Sequence, residues 1–265
     1  MEIYVRSRGF SQEDGYFWLP ETPEIIRENQ VNELIQSEVF SLVIGRYSNK
    51  FLLLITGLEA SERKDFRDRT IRNSVAWVGE DSPENEQKIR AIAAAALQDE
   101  LRENLRAEID ESVVFDEEHG FKLGADISKL SVEEVITIHD SPPAKEERRI
   151  GKDSQILREK LAYELETRCL PKGDSFDNLP LVVVTGIQSE DTLIQAGVWR
   201  GLSTSVKSEV WQEYKKSPSY LETLPENNQA SQKNNTLTLI IVFILGILVF
   251  TILLLWLFYP KPQSN

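Results

Sequence analysis

The feature that most constrains this chain is an uninterrupted apolar segment close to its C-terminus. Residues 237–259 read LTLIIVFILGILVFTILLLWLFY, and Tyr259 carries their single ionisable group. As a helix, these 23 residues measure about 34 Å. The hydrocarbon core of a bilayer is about 30 Å thick, and core helices of globular domains are rarely this long and this uniform. The sequence therefore predicts one membrane-spanning helix at Leu237–Tyr259.

The residues around this helix predict its orientation. Lys215, Lys216 and Lys233 precede it, whereas Lys261 alone follows, a small excess of positive charge on the N-terminal side. The first ten residues, MEIYVRSRGF, contain no apolar stretch that resembles a signal peptide. We therefore expect a tail-anchored, single-pass protein with a cytoplasmic N-terminal domain and a short tail at 260–265.

The rest of the chain is acidic. It has 43 acidic and 30 basic side chains, a net charge of −13. Lys261 is the one charged residue after position 235, so residues 1–235 carry −14. This charge argues against a nucleic-acid partner bound through bulk charge. With one cysteine and two histidines, the chain has neither an intramolecular disulfide nor a Cys-rich or His-rich metal centre, and we expect no metal and no cofactor.

The chain divides by composition into a domain and a stalk. Residues 217–235, SPSYLETLPENNQASQKNN, are polar and turn-rich, which predicts a flexible stalk. Residues 1–216 form the expected cytoplasmic domain. Within it, residues 141–152, SPPAKEERRIGK, are a charge-dense, proline-containing break and the candidate for an internal boundary. A single domain is favoured, and a division into two stays open.

Hydrophobic patterns and capping residues predict both strands and helices in residues 1–216. We expect a hairpin of two strands, Phe40–Tyr47 and Phe51–Gly57, joined by Ser48-Asn49-Lys50. Further strands are predicted at Glu2–Ser7, Ser74–Gly79, Val113–Phe115, Glu134–Ile138 and Leu181–Thr185. Helices are predicted from Thr22 to about Ser37, from Ser82 to about Leu105, from Asp153 or Ser154 to about Cys169, and from Ser189 to Trp199. The expected fold class is an α+β or mixed α/β soluble domain followed by a single C-terminal transmembrane helix.

The densest group of basic residues lies in SERKDFRDRTIRN, residues 61–73. Its five cations are Arg63, Lys64, Arg67, Arg69 and Arg72. One interpretation is a solvated helix, since Asp65–Arg69 and Asp68–Arg72 have the four-residue spacing of helix-surface ion pairs. The other is an anion or ligand site, because guanidinium groups bind carboxylates and phosphates.

Few residues are candidates for catalysis. His139 and Asp140 end a predicted strand before the proline-containing break, a position where catalytic pairs are often displayed, but adjacent strand residues face opposite sides of a sheet. Cys169 continues the apolar spacing of the helix before it, which predicts a core position and not a nucleophile.

The strand–turn–helix at Leu181–Trp199 has the form of a nucleotide-binding unit but not its sequence. Gly186 is the single glycine of the turn, and the chain contains no phosphate-loop motif. Glu190 and Asp191 occupy the first turn of the helix, where their charge repels a phosphate. Phosphate binding at this turn is therefore not expected.

These observations favour a non-catalytic membrane protein whose acidic cytoplasmic domain binds, senses or scaffolds soluble protein partners. Two alternatives stay open. The first is a membrane-tethered enzyme or nucleotide-binding protein that uses Arg63–Arg72. The second is a membrane-disrupting effector that is activated when its soluble domains cluster.

Overall fold

A mixed sheet of nine strands organises the computed structural model of this chain. The structure describes residues 1–9, 11–29, 31–98, 100–114, 116, 120–124, 141–142 and 147–215. The sheet strands are β1 (Glu2–Arg8), β2 (Tyr16–Leu19), β3 (Ser41–Tyr47), β4 (Lys50–Lys64), β5 (Thr70–Glu80), β8 (Arg148–Lys152), β9 (Leu179–Thr185), β10 (Arg200–Ser203) and β11 (Gln212–Tyr214). Their spatial order is β11-β8-β10-β9-β3-β4-β5-β1-β2. Two short strands, β6 (Val113–Val114) and β7 (Lys122–Leu123), pair separately. The predicted mixed α/β class is confirmed, with a large sheet.

One half of the sheet is antiparallel. Strand β3 pairs with β4, β4 with β5, β5 with β1 and β1 with β2. The β3–β4 turn contains Ser48 and Asn49, both with positive φ, of 49° and 65°. Such a two-residue turn matches the right-handed twist of the strands it joins. The predicted hairpin at Ser48-Asn49-Lys50 is therefore confirmed.

The other half of the sheet contains two parallel crossovers. Strands β8 and β9 both pair parallel to β10, which lies between them. The chain passes from β8 to β9 through α4 (Gln155–Thr167) and from β9 to β10 through α5 (Glu190–Ala196). Antiparallel pairing of β9 with β3 joins the two halves, and β11 closes the edge antiparallel to β8.

Helices cover both faces of the sheet. Besides α4 and α5, these helices are α1 (Glu24–Glu28), a 3-10 helix (Val31–Leu34), α2 (Pro83–Leu97) and α3 (Glu100–Ser112). Residues of α2, α3 and α4 share a core with one set of alternating strand residues, such as Leu53 and Trp77. The opposite set, such as Leu52 and Ala76, packs with residues of α1, the 3-10 helix and α5. The sheet centre is thus buried on both faces, which explains the continuous apolar runs of β3, β4 and β9.

Serine side chains begin three of the helices. Ser82, Ser154 and Ser189 each accept a hydrogen bond from a backbone N–H in the first turn of α2, α4 and α5. This satisfies one of the N–H groups that a helix N-terminus leaves without an intrahelical acceptor. The predicted starts of these helices are confirmed.

Several predicted element boundaries are wrong. The helix expected from Ser82 to about Leu105 is two helices, α2 and α3, and the one expected from Thr22 to Ser37 is α1 followed by the 3-10 helix. The prediction that Cys169 fills the core on a helix face is also wrong, because α4 ends at Thr167 and Cys169 is half-buried beyond it.

Other predictions fall outside the described residues. These are the strand at 134–138, the stalk at 217–235, the helix at Leu237–Tyr259 and the tail at 260–265. Of the helices that the structure describes, none has both the length and the apolar composition to cross a bilayer. The membrane-spanning helix therefore stays a prediction.

Candidate functional site

The cationic segment 61–73 folds as a β-hairpin. Its first residues end β4, its last residues begin β5, and Asp65–Arg69 form the turn between them. Within this turn Asp68 has a positive φ of 60°. The expectation of a surface helix is wrong, because the carboxylate of Asp65 binds the N–H groups of the turn and stabilises the reversal of the chain.

Asp65 is the centre of this turn. Its Oδ1 accepts hydrogen bonds from the backbone N–H groups of Arg67, at 2.9 Å, and Arg69, at 3.1 Å. Its Oδ2 accepts two from the Arg69 side chain, at 2.9 and 2.7 Å, and one from Arg8 Nη1, at 3.4 Å. Hydrogen bonds from the Arg69 side chain are the largest cause that lowers the pKa of Asp65 to about 2. The charged carboxylate of Asp65 therefore stabilises the turn.

The structure separates the five predicted cations. Arg69 and Arg72 line one cleft. Arg63 turns to the opposite face of the sheet, where it donates to Ser7 Oγ and to the carbonyl of Arg8. Lys64 pairs with Asp68 on the exposed hairpin, and Arg67 lies over the ring of Phe66. The predicted pair of Asp68 with Arg72 does not form, since Arg72 pairs with Glu59 of β4 at 2.6 Å.

The arginine cleft has a volume of about 390 Å³. It is lined by Arg8, Tyr16, Glu38, Asp65, Arg69, Thr70 and Arg72. Arg8 lies on β1 and Tyr16 on the neighbouring β2, where the two residues are directly opposite each other. The cleft lies on the face of the sheet that α1 and the 3-10 helix cover further along these strands, where Trp18 and Ala76 are core residues.

Tyr16 organises the guanidinium groups of this cleft. The Arg6 and Arg8 side chains lie over its ring, with their central carbons 5.0 and 5.6 Å from the ring centre. Its hydroxyl accepts a hydrogen bond from the backbone N–H of Arg72, at 3.1 Å. Arg6 also donates to Ser37 Oγ at 2.9 Å, and burial lowers its pKa. Sequence reasoning missed Arg6 and Arg8, although their alternation in β1 places them on one face.

Arg8 is the buried cation of the cleft lining. Its side chain is 10% exposed, and Nη2 donates to the carbonyls of Ser11 and Asp14. Its Nε is buried and has no acceptor within the described ranges. Buried N–H groups are rarely without an acceptor in native structures. Because this Nε is covered by protein atoms, the guanidinium groups open to a ligand in the cleft are those of Arg69 and Arg72.

Other predicted sites are not built from the described residues. His139 and Asp140 lie outside those residues, so their candidacy for catalysis stays a prediction. No cluster of three or more His, Cys, Asp or Glu residues suited to a metal ion occurs in the described ranges. The turn at Gly186 leads into α5, whose first turn contains Glu190 and Asp191 as the sequence indicates.

The fold and the cleft thus define a mixed α/β domain with an arginine-lined surface site. Comparison of the chain with protein-family models, with curated proteins and with solved structures finds no significant match.

Proposed function

We propose that this chain is a membrane-anchored binding module whose arginine cleft receives an anionic group of a soluble partner. The observation that carries the proposal is that Arg8, Arg69 and Arg72 all line one cleft. The guanidinium of Arg8 is fixed by hydrogen bonds to Asp65, Ser11 and Asp14. A carboxylate or phosphate oxygen is the acceptor that a guanidinium N–H binds most strongly.

The neighbouring side chains support recognition of an anion. Arg69 and Arg72 line the same cleft, and Arg72 is one-third exposed. Asp65 and Glu59 pair with these arginines and hold them in place. Two or more fixed guanidinium groups bind a carboxylate or a phosphate with less loss of side-chain entropy than flexible surface lysines.

The membrane part of the proposal depends on the sequence of residues 237–259. A polar segment of 19 residues separates the domain from this span. Because residues 1–235 carry a net charge of −14, an anionic leaflet repels the domain and leaves its clefts open to soluble proteins. This reasoning favours a protein partner in the cytoplasm.

Calorimetric titration tests the cleft. The 265-residue chain in a mild non-ionic detergent is titrated with inorganic phosphate and with a hexaglutamate peptide, the two anionic groups in question. Arg72→Gln removes an exposed cation from the cleft and is expected to weaken binding of either probe about tenfold. The matched control is Arg27→Gln on α1, which removes an exposed arginine that does not line the cleft and is expected to leave binding unchanged.

Two results would contradict the proposal. One is the absence of binding of either probe at millimolar concentration. The other is equal weakening by Arg72→Gln and Arg27→Gln, because a loss common to both variants reflects the overall charge of the domain and not a site.

A further inference from the structure

A second groove lies between α4 and Trp211, the residue that precedes the edge strand β11, in the parallel half of the sheet. Its volume is about 370 Å³. Four cations, Arg149, Lys160, Arg168 and Arg200, and two aromatic residues, Tyr163 and Trp211, account for most of its lining. We call it the α4–β11 groove. In a chain with a net charge of −13, a groove lined by four cations is a local reversal of charge.

One wall of the groove is a single face of α4. Lys160, Tyr163, Glu164 and Thr167 all line it, and their spacing of three, one and three residues places them on one side of the helix. Arg168, which follows the last residue of α4, also lines the groove. Tyr163 is 67% exposed, an unusual position for a large aromatic side chain. Leu157, Leu161 and Leu165 of the same helix are buried in the core, so the helix presents the groove face outward.

The one carboxylate that lines the groove is neutralised. Glu164 accepts hydrogen bonds from Nε and Nη2 of Arg200, at 2.7 and 2.6 Å. Arg200 is 1% exposed and stacks on Trp199, with 4.0 Å between its central carbon and the ring centre. Because this pair is fixed and neutral, Glu164 does not repel an anionic ligand.

The remaining cations differ in their partners. Arg149 pairs with Glu147 and Glu213, at 2.8 and 3.0 Å. Lys160 and Arg168 have no ion-pair partner in the part of the chain that the structure describes. Lys160 lies on α4, and Arg168 directly follows the last residue of this helix. The positive charge available to a ligand is therefore concentrated at these two residues.

We propose that the α4–β11 groove binds a nucleoside phosphate. The base stacks on the exposed ring of Tyr163 and the half-buried ring of Trp211, and the phosphates pair with Lys160 and Arg168. A simple anion would use the two cations but not the rings, whereas an aromatic ring with phosphates uses both. The volume of the groove lies within the range of small-ligand sites. This site is distinct from the arginine cleft and from the turn at Gly186.

Calorimetric titration of the 265-residue chain with ADP, in the same non-ionic detergent, tests this proposal. One site per chain is expected in the Arg72→Gln background, in which phosphate binding at the arginine cleft is weakened. The double variant Lys160→Ala with Arg168→Ala is expected to weaken ADP binding at least about tenfold. Tyr163→Ala is expected to weaken it about fivefold or more, through lost stacking on an exposed ring. Its exposure makes Tyr163 a safer target than Trp211, which packs partly against the core.

Two control variants show whether a loss of ADP binding is specific to the groove. Lys207→Ala removes an exposed cation between β10 and β11 that does not line the groove, and it is expected to leave ADP binding unchanged. Arg72→Gln in the arginine cleft is also expected to leave it unchanged.

Each opposing result would overturn the proposal. These results are no binding of ADP at millimolar concentration, loss of ADP binding in Arg72→Gln, binding of inorganic pyrophosphate to Arg72→Gln as tight as that of ADP, or binding of a single-stranded oligonucleotide without binding of ADP.

Discussion

Arg69 donates two side-chain hydrogen bonds to the carboxylate of Asp65, through Nε and Nη2, and the two residues belong to the turn of a hairpin. Their four-residue spacing in the sequence is typical of a helix-surface ion pair. In the structure, the backbone N–H of Arg69 donates to the same carboxylate. The pair therefore closes the turn that positions Arg69 and Arg72 at the cleft.

The charge of Asp65 is expected to stabilise the folded domain at neutral pH. Its pKa in the folded chain is about 2, below the ordinary value of about 3.9. A lowered carboxyl pKa gives stability that is complete above the ordinary pKa and is lost as the pH falls through the folded value. Asp65→Asn should lower the melting temperature at pH 7, and the difference from wild type should shrink between about pH 4 and pH 2.

Circular dichroism melting curves of both chains across this pH range measure the effect. Asp68→Asn is the matched control, because Asp68 is an exposed carboxylate of the same turn that pairs with Lys64. It should change the melting temperature little at any pH. A difference between Asp65→Asn and wild type that stays constant from pH 7 to pH 2 would show that the charge of Asp65 does not stabilise the turn.

Loss of the buried pair of Arg200 and Glu164 is expected to destabilise the folded domain more than loss of the charge of Asp65. Glu164→Gln leaves the guanidinium of Arg200 buried, at 1% exposure, without a counter-charge. Removal of one partner of a buried pair destabilises a domain by about 3 kcal/mol or more. Urea unfolding should therefore show a lower midpoint with an unchanged slope.

The exposed pair of α1 is the comparison for this variant. Glu24→Gln breaks the pair of Glu24 with Arg27, whose side chains are both largely exposed. The expected change in unfolding free energy is within about 0.5 kcal/mol. Similar losses in Glu24→Gln and Glu164→Gln would contradict the structural role of the buried pair.

Local chemistry in the sequence was sufficient to predict some elements of the fold. The β3–β4 hairpin could be predicted because Ser48-Asn49 is a turn between two apolar runs. The starts of α2 and α4 could be predicted because Ser82 and Ser154 precede amphipathic segments. These signals lie within a few residues of the structure that they determine.

Strands that contain buried arginines could not be predicted in this way. Strand β8 begins at Arg148, whose side chain donates to the carbonyls of Gly197 and Ser175, and β10 begins at Arg200. In the sequence these charges indicate a solvated loop. Their acceptors lie tens of residues away, so the burial of each arginine becomes evident only when the chain is folded.

The candidate site could not be predicted from the local sequence either. The sequence shows five cations in residues 61–73, but the cleft combines two of them with Arg8, which is 57 residues from Asp65. Alternation along the strands then places Arg63 on the opposite face of the sheet. The composition of a segment identifies the charges, and the pairing of strands decides which of them meet.

Loss of the N-cap of α2 should destabilise the domain moderately. Ser82 Oγ accepts the backbone N–H of Asn85 at 3.3 Å. Ser82→Ala removes this acceptor and should lower the free energy of unfolding by about 1 kcal/mol. Ser175→Ala, at an exposed serine outside the helices, should change it by less than about 0.5 kcal/mol. Equal effects of the two substitutions in urea unfolding would contradict the capping role.

The predicted membrane anchor can be tested separately from the domain. Deletion of residues 237–259 should move the chain from the membrane fraction to the supernatant, because these residues are the one segment of the sequence long and apolar enough to span a bilayer. The complete chain should stay with the membrane after extraction at alkaline pH. Replacement of the segment by an unrelated apolar stretch of the same length should restore this behaviour, since an anchor depends on length and hydropathy and not on specific side chains. Protease added outside intact cells should leave residues 1–235 undigested, and their digestion would show that the proposed cytoplasmic orientation is wrong.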